Sequence, residues 1–315
     1  MTYKNTLSSK RMLPLHGLAG AVFLVIAAAF VWRMPSNSKA TDTTKDIVAV
    51  SPLHVTKIAT LGAPDPTASY WKSATVAVVP LLPQTITKPT IEKSEIHSME
   101  VQAVSDGTNI AWRLAWADPE ADSAVDSGKF SDACAIQFPI GTNTNLMMGH
   151  GGEVEIFLWK AIWQRDVNLG FQDIRDLHPN AWTDLYWFSK GGLETNIKDA
   201  FADPRAKQWM IALTAGNPMS QMDRKQPCEE CTAKGFGTIA TQAQQSSQAV
   251  GVWAGGQWAV VFQRPLRTED VSDYQFGLHA SEFALAVWQG SAKQAGGRKQ
   301  FSGWVPFELL NGNIK

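Results

Sequence analysis

The chain reads as mainly β: an antiparallel β-sandwich with loop and short-helix insertions, preceded by one N-terminal transmembrane or signal helix. Three observations predict this. Apolar and polar residues alternate with period two through most of the sequence after residue 60. The alternating runs are punctuated by Gly, Asp and Asn turns rather than by long helical stretches. A 315-residue chain that is 44% hydrophobic and carries 13 Trp has enough large apolar side chains to fill the space between two sheets.

Taken in order, Lys4, Lys10 and Arg11 precede an uncharged segment from Leu13 to Trp32. That pattern is a signal-peptide core or a short membrane span. The run is long for a signal core, and Arg33 interrupts the approach to a cleavage site after Ser38-Lys39-Ala40. An uncleaved anchor over residues 1–34 is therefore the expectation, with a cleaved signal as the alternative. In either case the basic end stays cytoplasmic and the rest is exported. The expected location is the periplasmic side of the inner membrane. Residues 35–60 read as a linker, because the stretch beginning Pro35-Ser36-Asn37-Ser38 has no periodicity.

The exported part, residues 61–315, reads as one sandwich domain. Strands are expected at Ala74 to Pro80, Met99 to Val104, Asn109 to Trp116, Ala135 to Pro139 and Glu153 to Trp159. The list continues with Ala249 to Trp253, Trp258 to Arg264, Glu282 to Trp288 and Gly303 to Leu310. Ser105-Asp106-Gly107-Thr108 turns one hairpin and Gly255-Gly256 another. Residues 164–242 hold Asp, Pro, Asn and Gly among short apolar pieces, so an insertion of loops and short helices is expected there.

Net charge is −1, with 28 basic against 29 acidic residues and no basic segment, which argues against a nucleic-acid partner. No Gly-x-Ser-x-Gly elbow, phosphate loop, dinucleotide fingerprint or His-Glu-x-x-His helix occurs. The three cysteines fit an exported protein. Cys134, on an expected strand, reads as a buried thiol, and Cys228-Glu229-Glu230-Cys231 reads as a local disulfide. Thr232 follows Cys231 where covalent haem attachment needs histidine.

The most informative segment is Leu146-Met147-Met148-Gly149-His150-Gly151-Gly152, just before the aromatic strand Ile156-Phe157-Leu158-Trp159. Two thioethers in a glycine-rich loop beside a rigid sheet suit a metal site. His150 lies on the same loop. Adjacent methionines also fill irregular core gaps, and Trp159, Trp163, Trp182, Trp187 and Trp288 are ordinary core residues on composition alone.

Several blocks occur in a fixed order: Ala135-Ile136-Gln137-Phe138-Pro139, Met147-Met148-Gly149, Ile156 to Ala161, Gly235-Phe236-Gly237-Thr238, Phe283 to Gly290 and Gly297-Arg298-Lys299. Together they resemble the haem-b-binding gamma subunit of dimethyl-sulfoxide-reductase-type molybdoenzymes. The family serves ethylbenzene and dimethylsulfide dehydrogenases and chlorate, selenate and nitrate or nitrite oxidoreductases. The resemblance implies one b-type haem held between a methionine and a lysine, in a non-catalytic subunit that passes electrons. It implies as partners a molybdenum-cofactor alpha subunit, an iron-sulfur beta subunit and a c-type cytochrome or other respiratory-chain partner. Carried over, the methionine is Met148, with Met147 beside it, and the lysine is Lys299, with Lys234 and Lys160 as rivals. The alternatives are an exported carbohydrate-binding sandwich, using exposed indoles as sugar platforms, and a cofactor-free tether.

Overall fold

A computed structural model describes residues 51–309, except 125, 142–143, 150, 183–196, 201, 218–219 and 279–280. The expected N-terminal helix, His150 and Trp187 lie outside the described residues. Among the described residues no helix is long and apolar enough to cross a membrane.

Among the described residues fifteen strands form two sheets. The strands are β1 (Leu53–His54), β2 (Thr56–Lys57), β3 (Ala77–Pro80), β4 (Leu82–Pro83), β5 (Ser98–Ser105), β6 (Asn109–Ala117), β7 (Ala133–Pro139) and β8 (Val154–Lys160). They continue as β9 (Cys228–Ala233), β10 (Ala240–Thr241), β11 (Gln248–Ala254), β12 (Gln257–Pro265), β13 (Glu282–Trp288), β14 (Gln300–Phe301) and β15 (Val305–Glu308). One sheet runs β1-β15-β13-β7-β8-β9-β10, with β14 and β4 attached beside β13. The other runs β11-β12-β6-β5-β2, with β3 also on β5. Pairing is antiparallel except β1 with β15 and β2 with β5, two short parallel contacts.

Alternation sets which side chains meet between the sheets. From β6 come Ile110, Trp112, Leu114 and Trp116. From β7 come Cys134, Ile136 and Phe138, and from β13 come Phe283, Leu285 and Val287, all within one buried cluster. Trp112 touches Phe138, Phe276, Phe283 and Phe307 at ring separations of 5.1–6.2 Å. Six of the described tryptophans, Trp71, Trp112, Trp116, Trp159, Trp163 and Trp258, are buried. Cys134 is a buried free thiol, as its strand position predicts.

Three features depart from the sequence expectations. Residues 53–57, inside the expected linker, pair at the sheet edges as β1 and β2. β9 lies inside the stretch expected to be loops and short helices, yet pairs with β8 over six residues, from Val154↔Ala233 to Trp159↔Cys228. The irregular excursion begins with the helix Ala161–Leu169, and the strand Cys228–Ala233 follows it.

The third departure concerns Cys228 and Cys231, which are free. They sit three residues apart on β9, so their side chains point to opposite faces. Cys228 joins the inter-sheet core and Cys231 the outer cluster. Burial pushes both thiols up to about 12, and the expected local disulfide is not formed.

Candidate functional site

The outward face of the larger sheet carries the site. Strand register arranges its side chains as a grid. One row is Lys160–Ala133–Trp288, the next Leu158–Ala135–Ala286, and the third Ile156–Gln137–Ala284. Four alanines at the centre leave a shallow, flat floor where larger residues would fill the space. Above it the segments around Gln84–Pro89, Leu146–Met148, Phe236–Ile239 and Gln294–Gly297 form the walls of a cavity of about 670 Å³. The volume falls in the usual range for small-molecule and cofactor sites.

Met147, Met148 and Lys299 all line this cavity. Met148 holds a left-handed backbone, φ 58°, which is uncommon for a residue with a side chain. The turn is tied down on several sides. The Gln137 amide donates to the Leu146 carbonyl at 2.5 Å, the Met147 N–H to Asn145 Oδ1 at 2.9 Å, and the Gly149 N–H to the Asn145 carbonyl at 3.1 Å. Gly149 has φ 73°, and an added Cβ there would meet the Ala233 carbonyl at 3.0 Å. The left-handed residue is thus held in place at the cavity wall. Met147 is buried, Met148 packs against the outer cluster of Ala135, Val154, Ile156, Cys231, Ala233 and Ala286, and the neighbouring Gly149 abuts Val154 and Ala233 at the β8–β9 edge of the grid.

Lys299 approaches from the opposite corner, next to β14 and beyond Trp288. Its Nζ stands 5.3 Å from the Trp288 ring. Water reaches the side chain through the cavity, but protein surrounds it, and burial alone lowers the amine from 10.5 to about 8. Among the described residues no carboxylate pairs with it. The segment is fixed by Gln84, whose amide donates to the carbonyls of Thr87 at 2.7 Å and Gly297 at 2.8 Å. A Cβ on Gly297 would strike the Pro89 carbonyl at 2.7 Å, so the close approach needs glycine.

The two rival lysines separate. Lys234 is outside the cavity lining, 66% exposed, and pairs with Glu153 at 3.2 Å. Lys160 lines the cavity at the Ala133 end of β8, with Nζ 4.6 Å from the Trp163 ring, and burial lowers its pKa. Arg224 covers the same ring at 4.1 Å and pairs with Glu229 at 3.1 Å. Of the singled-out tryptophans, Trp159 and Trp163 are buried, Trp288 lines the cavity and Trp182 is exposed.

Sequence reasoning overlooked the alanine floor and Gln84. The floor has a legible signal, since Ala occupies alternate positions in both Ala133-Cys134-Ala135 and Ala284-Leu285-Ala286. Gln84 has none, because its hydrogen-bond partners, Ile86, Thr87, Pro89 and Gly297, are set by the loop fold.

The cavity suits a flat, mainly apolar ligand with a metal at its centre. A soft thioether and a neutralisable amine line it from different walls, and four alanines keep the middle of its floor low. Residues 68–300 match the model of the ethylbenzene dehydrogenase family. The chain belongs to that family. A Haloferax mediterranei protein, provisionally described as a respiratory nitrate reductase heme subunit, is 24% identical over 244 residues, covering 77% of this chain and 67% of its own length. Two solved structures align more loosely. One is a protein from Bacteroides uniformis provisionally described as carbohydrate-binding, with TM-score 0.38, 8% identity, 82% of this chain covered and 100% of its own. The other is a family 9 carbohydrate-binding module from Caldicellulosiruptor kristjanssonii in complex with glucose, with TM-score 0.37, 7% identity, and 84% and 99% covered. Both scores are too low to bear on fold or function.

Proposed function

We propose that this chain is the haem-carrying, non-catalytic electron-transfer subunit of a molybdenum oxidoreductase, with Met148 and Lys299 as the axial ligands. The observation that carries the reading is a strained methionine and a carboxylate-free lysine at opposed corners of one apolar, flat-floored cavity. Family membership and the heme subunit named among its relatives support it.

Held by Met148 and Lys299, a haem would supply electron exchange and leave no open position for a substrate. The protein's own contribution is to hold the two donors apart, exclude bulk water with apolar walls and make the Lys299 amine easier to deprotonate. A free lysine near 10.5 would resist deprotonation at pH 7 by about 4.8 kcal/mol, whereas one near 8 resists by about 1.4. A non-covalent, b-type haem fits the cysteines, none of which lines the cavity.

The proposed partners are a molybdenum-cofactor subunit, an iron-sulfur subunit and a c-type cytochrome or other respiratory acceptor. The proposed location is the periplasmic side of the inner membrane, held by the N-terminal apolar segment.

The test is a reduced-minus-oxidised visible spectrum of the purified, haem-supplied full chain, with pyridine extraction to type the haem. Sharp low-spin bands and extractable haem b are expected, and Met148→Ala or Lys299→Ala should each give high-spin or haem-free protein. A featureless spectrum from folded protein would sink the reading and leave the sugar-binding or tether alternatives.

A further inference from the structure

We propose that Glu155, Glu230, Asp273 and Gln242 form a calcium site inside the sandwich, on the face of β8 and β9 turned away from the cavity. None of the four lines that cavity, and the site is independent of the haem reading.

Strand register brings the groups together. Ile156, Leu158 and Lys160 of β8 face the cavity, so Glu155 points the other way, with the core residues Phe157 and Trp159. Glu230 lies opposite Phe157 on β9 and shares that inner face. The β9–β10 ladder pairs Cys231 with Thr241, and the next step sets Gln242 opposite Glu230, whose carbonyl accepts from the Gln242 N–H at 2.9 Å. Gln242 therefore points to the same face as Glu230. Asp273 comes from the segment that follows β12. One carboxylate oxygen each from Glu155, Glu230 and Asp273 lie within 4.8 Å of one another. Oxygens bound at about 2.3–2.6 Å to one calcium ion span at most roughly 5.2 Å, so the spacing fits.

Charge and unmet hydrogen bonding point to the same ligand. The three acids are 0–2% exposed. Among the described residues their ion pairs run to Arg264 alone, from Glu155 at 3.3 Å and Asp273 at 3.0 Å, and Glu230 has none. Three carboxylates against one guanidinium leave two negative charges, which one divalent cation cancels, and an uncancelled surplus is costly in a dry interior. Two oxygens there also lack a hydrogen-bond partner, Asp273 Oδ1 and Gln242 Oε1. Gln242 is 7% exposed, and its Nε2 donates to the Ser272 carbonyl at 3.1 Å, which draws the amide from Glu230 toward Asp273. A donor set made wholly of oxygen, drawn from separate segments, suits a hard, geometrically tolerant cation. Two protons would cancel the same charge, and burial does raise Glu155 and Glu230, so the experiment must separate protons from calcium.

The full chain is stripped with a chelator and titrated with calcium chloride at pH 7.5, by calorimetry and by melting temperature. One calcium per chain and a higher melting temperature are expected, with magnesium bound at least about ten-fold more weakly because it demands a tighter octahedron. Glu230→Gln and Asp273→Asn should each weaken calcium by roughly ten-fold or more, the scale of one lost contact to a charged group. Both keep an acceptor oxygen for Ser246 or Arg264, and Asp132→Asn, a buried acid outside the cluster, should leave calcium binding intact.

A stripped wild-type chain that takes up no calcium at about 10⁻³ M, the weak end for such sites, overturns the proposal and assigns the charge balance to protons. Uptake unaltered in Glu230→Gln and Asp273→Asn overturns it as well, and magnesium bound as tightly overturns the choice of calcium. The wild-type titration decides the matter even where a variant fails to fold.

Discussion

Met148 shows how one residue separates two explanations. A methionine that merely fills a core gap costs about 2–5 kcal/mol when truncated. Met148 instead holds a left-handed backbone, a conformation that costs a side-chain-bearing residue roughly 1–2 kcal/mol. Met148→Gly should relieve that strain while losing some packing and gaining unfolded-state entropy. Urea unfolding of the haem-free chain should therefore move by less than about 1 kcal/mol, although haem binding disappears. A loss several times larger would return Met148 to the core. Asp132 offers a pH test. It is fully buried, accepts hydrogen bonds from the N–H groups of Gly290, Asp122 and the Trp258 indole at 2.8–2.9 Å, and burial raises it from 3.8 to about 7. Its folded form holds a proton that the unfolded form releases, so its stabilisation is complete below pH 3.8 and is lost as pH rises through about 7. Glu155, Glu230 and Asp118 are raised by burial too, with the same sign. The urea midpoint of the haem-free chain should fall from pH 5 to pH 7.5, and Asp132→Asn should flatten the slope. A rising midpoint would contradict the assignment.

Among the elements, β7 and β13 show how a strand makes a floor. Their inward positions are apolar, and four of their outward ones, Ala133, Ala135, Ala284 and Ala286, are alanine, so the sheet is packed on one side and open over the alanines on the other. Ala135→Leu and Ala286→Leu should leave the fold intact, fill the cavity and reduce haem uptake, read as bound haem per chain. Full haem content in both variants would remove the cavity from the site. β9 carries the opposite lesson. Cys228-Glu229-Glu230-Cys231-Thr232-Ala233 looks polar because its carboxylates are satisfied by distant partners, Glu229 by Arg224 and Glu230 by Ser246. No local pattern announces that, whereas the hairpin of β5 and β6 is plain from its alternation and its Asp106-Gly107 turn. The faces of β9 also predict three titratable thiols in the denatured, non-reduced chain. A count of one would restore the disulfide.

Over the whole molecule, one buried charge network joins the two sheets. Arg264 of β12 contacts Glu155 of β8 at 3.3 Å and Asp273 at 3.0 Å, and donates to the Tyr274 carbonyl. Removing the cation strands two buried acids, so Arg264→Met should cost about 3–5 kcal/mol in urea unfolding at neutral pH. The loss should shrink at pH 5, where Glu155, raised by burial, takes a proton more readily, and a loss independent of pH would assign it to packing alone. By itself the sequence determined the β class, most strand positions, the turn residues and the Met-bearing loop, because each follows from spacing along the chain. It also offered three lysines as partners for that loop and could not rank them by contact, since Lys160, Lys234 and Lys299 are similarly polar in one dimension. Only the tertiary structure did so, by pairing Lys234 with Glu153 in solvent and turning Lys160 and Lys299 into the same cavity from different corners. Burial and register are properties of the assembled sheets, and no neighbour in sequence encodes them.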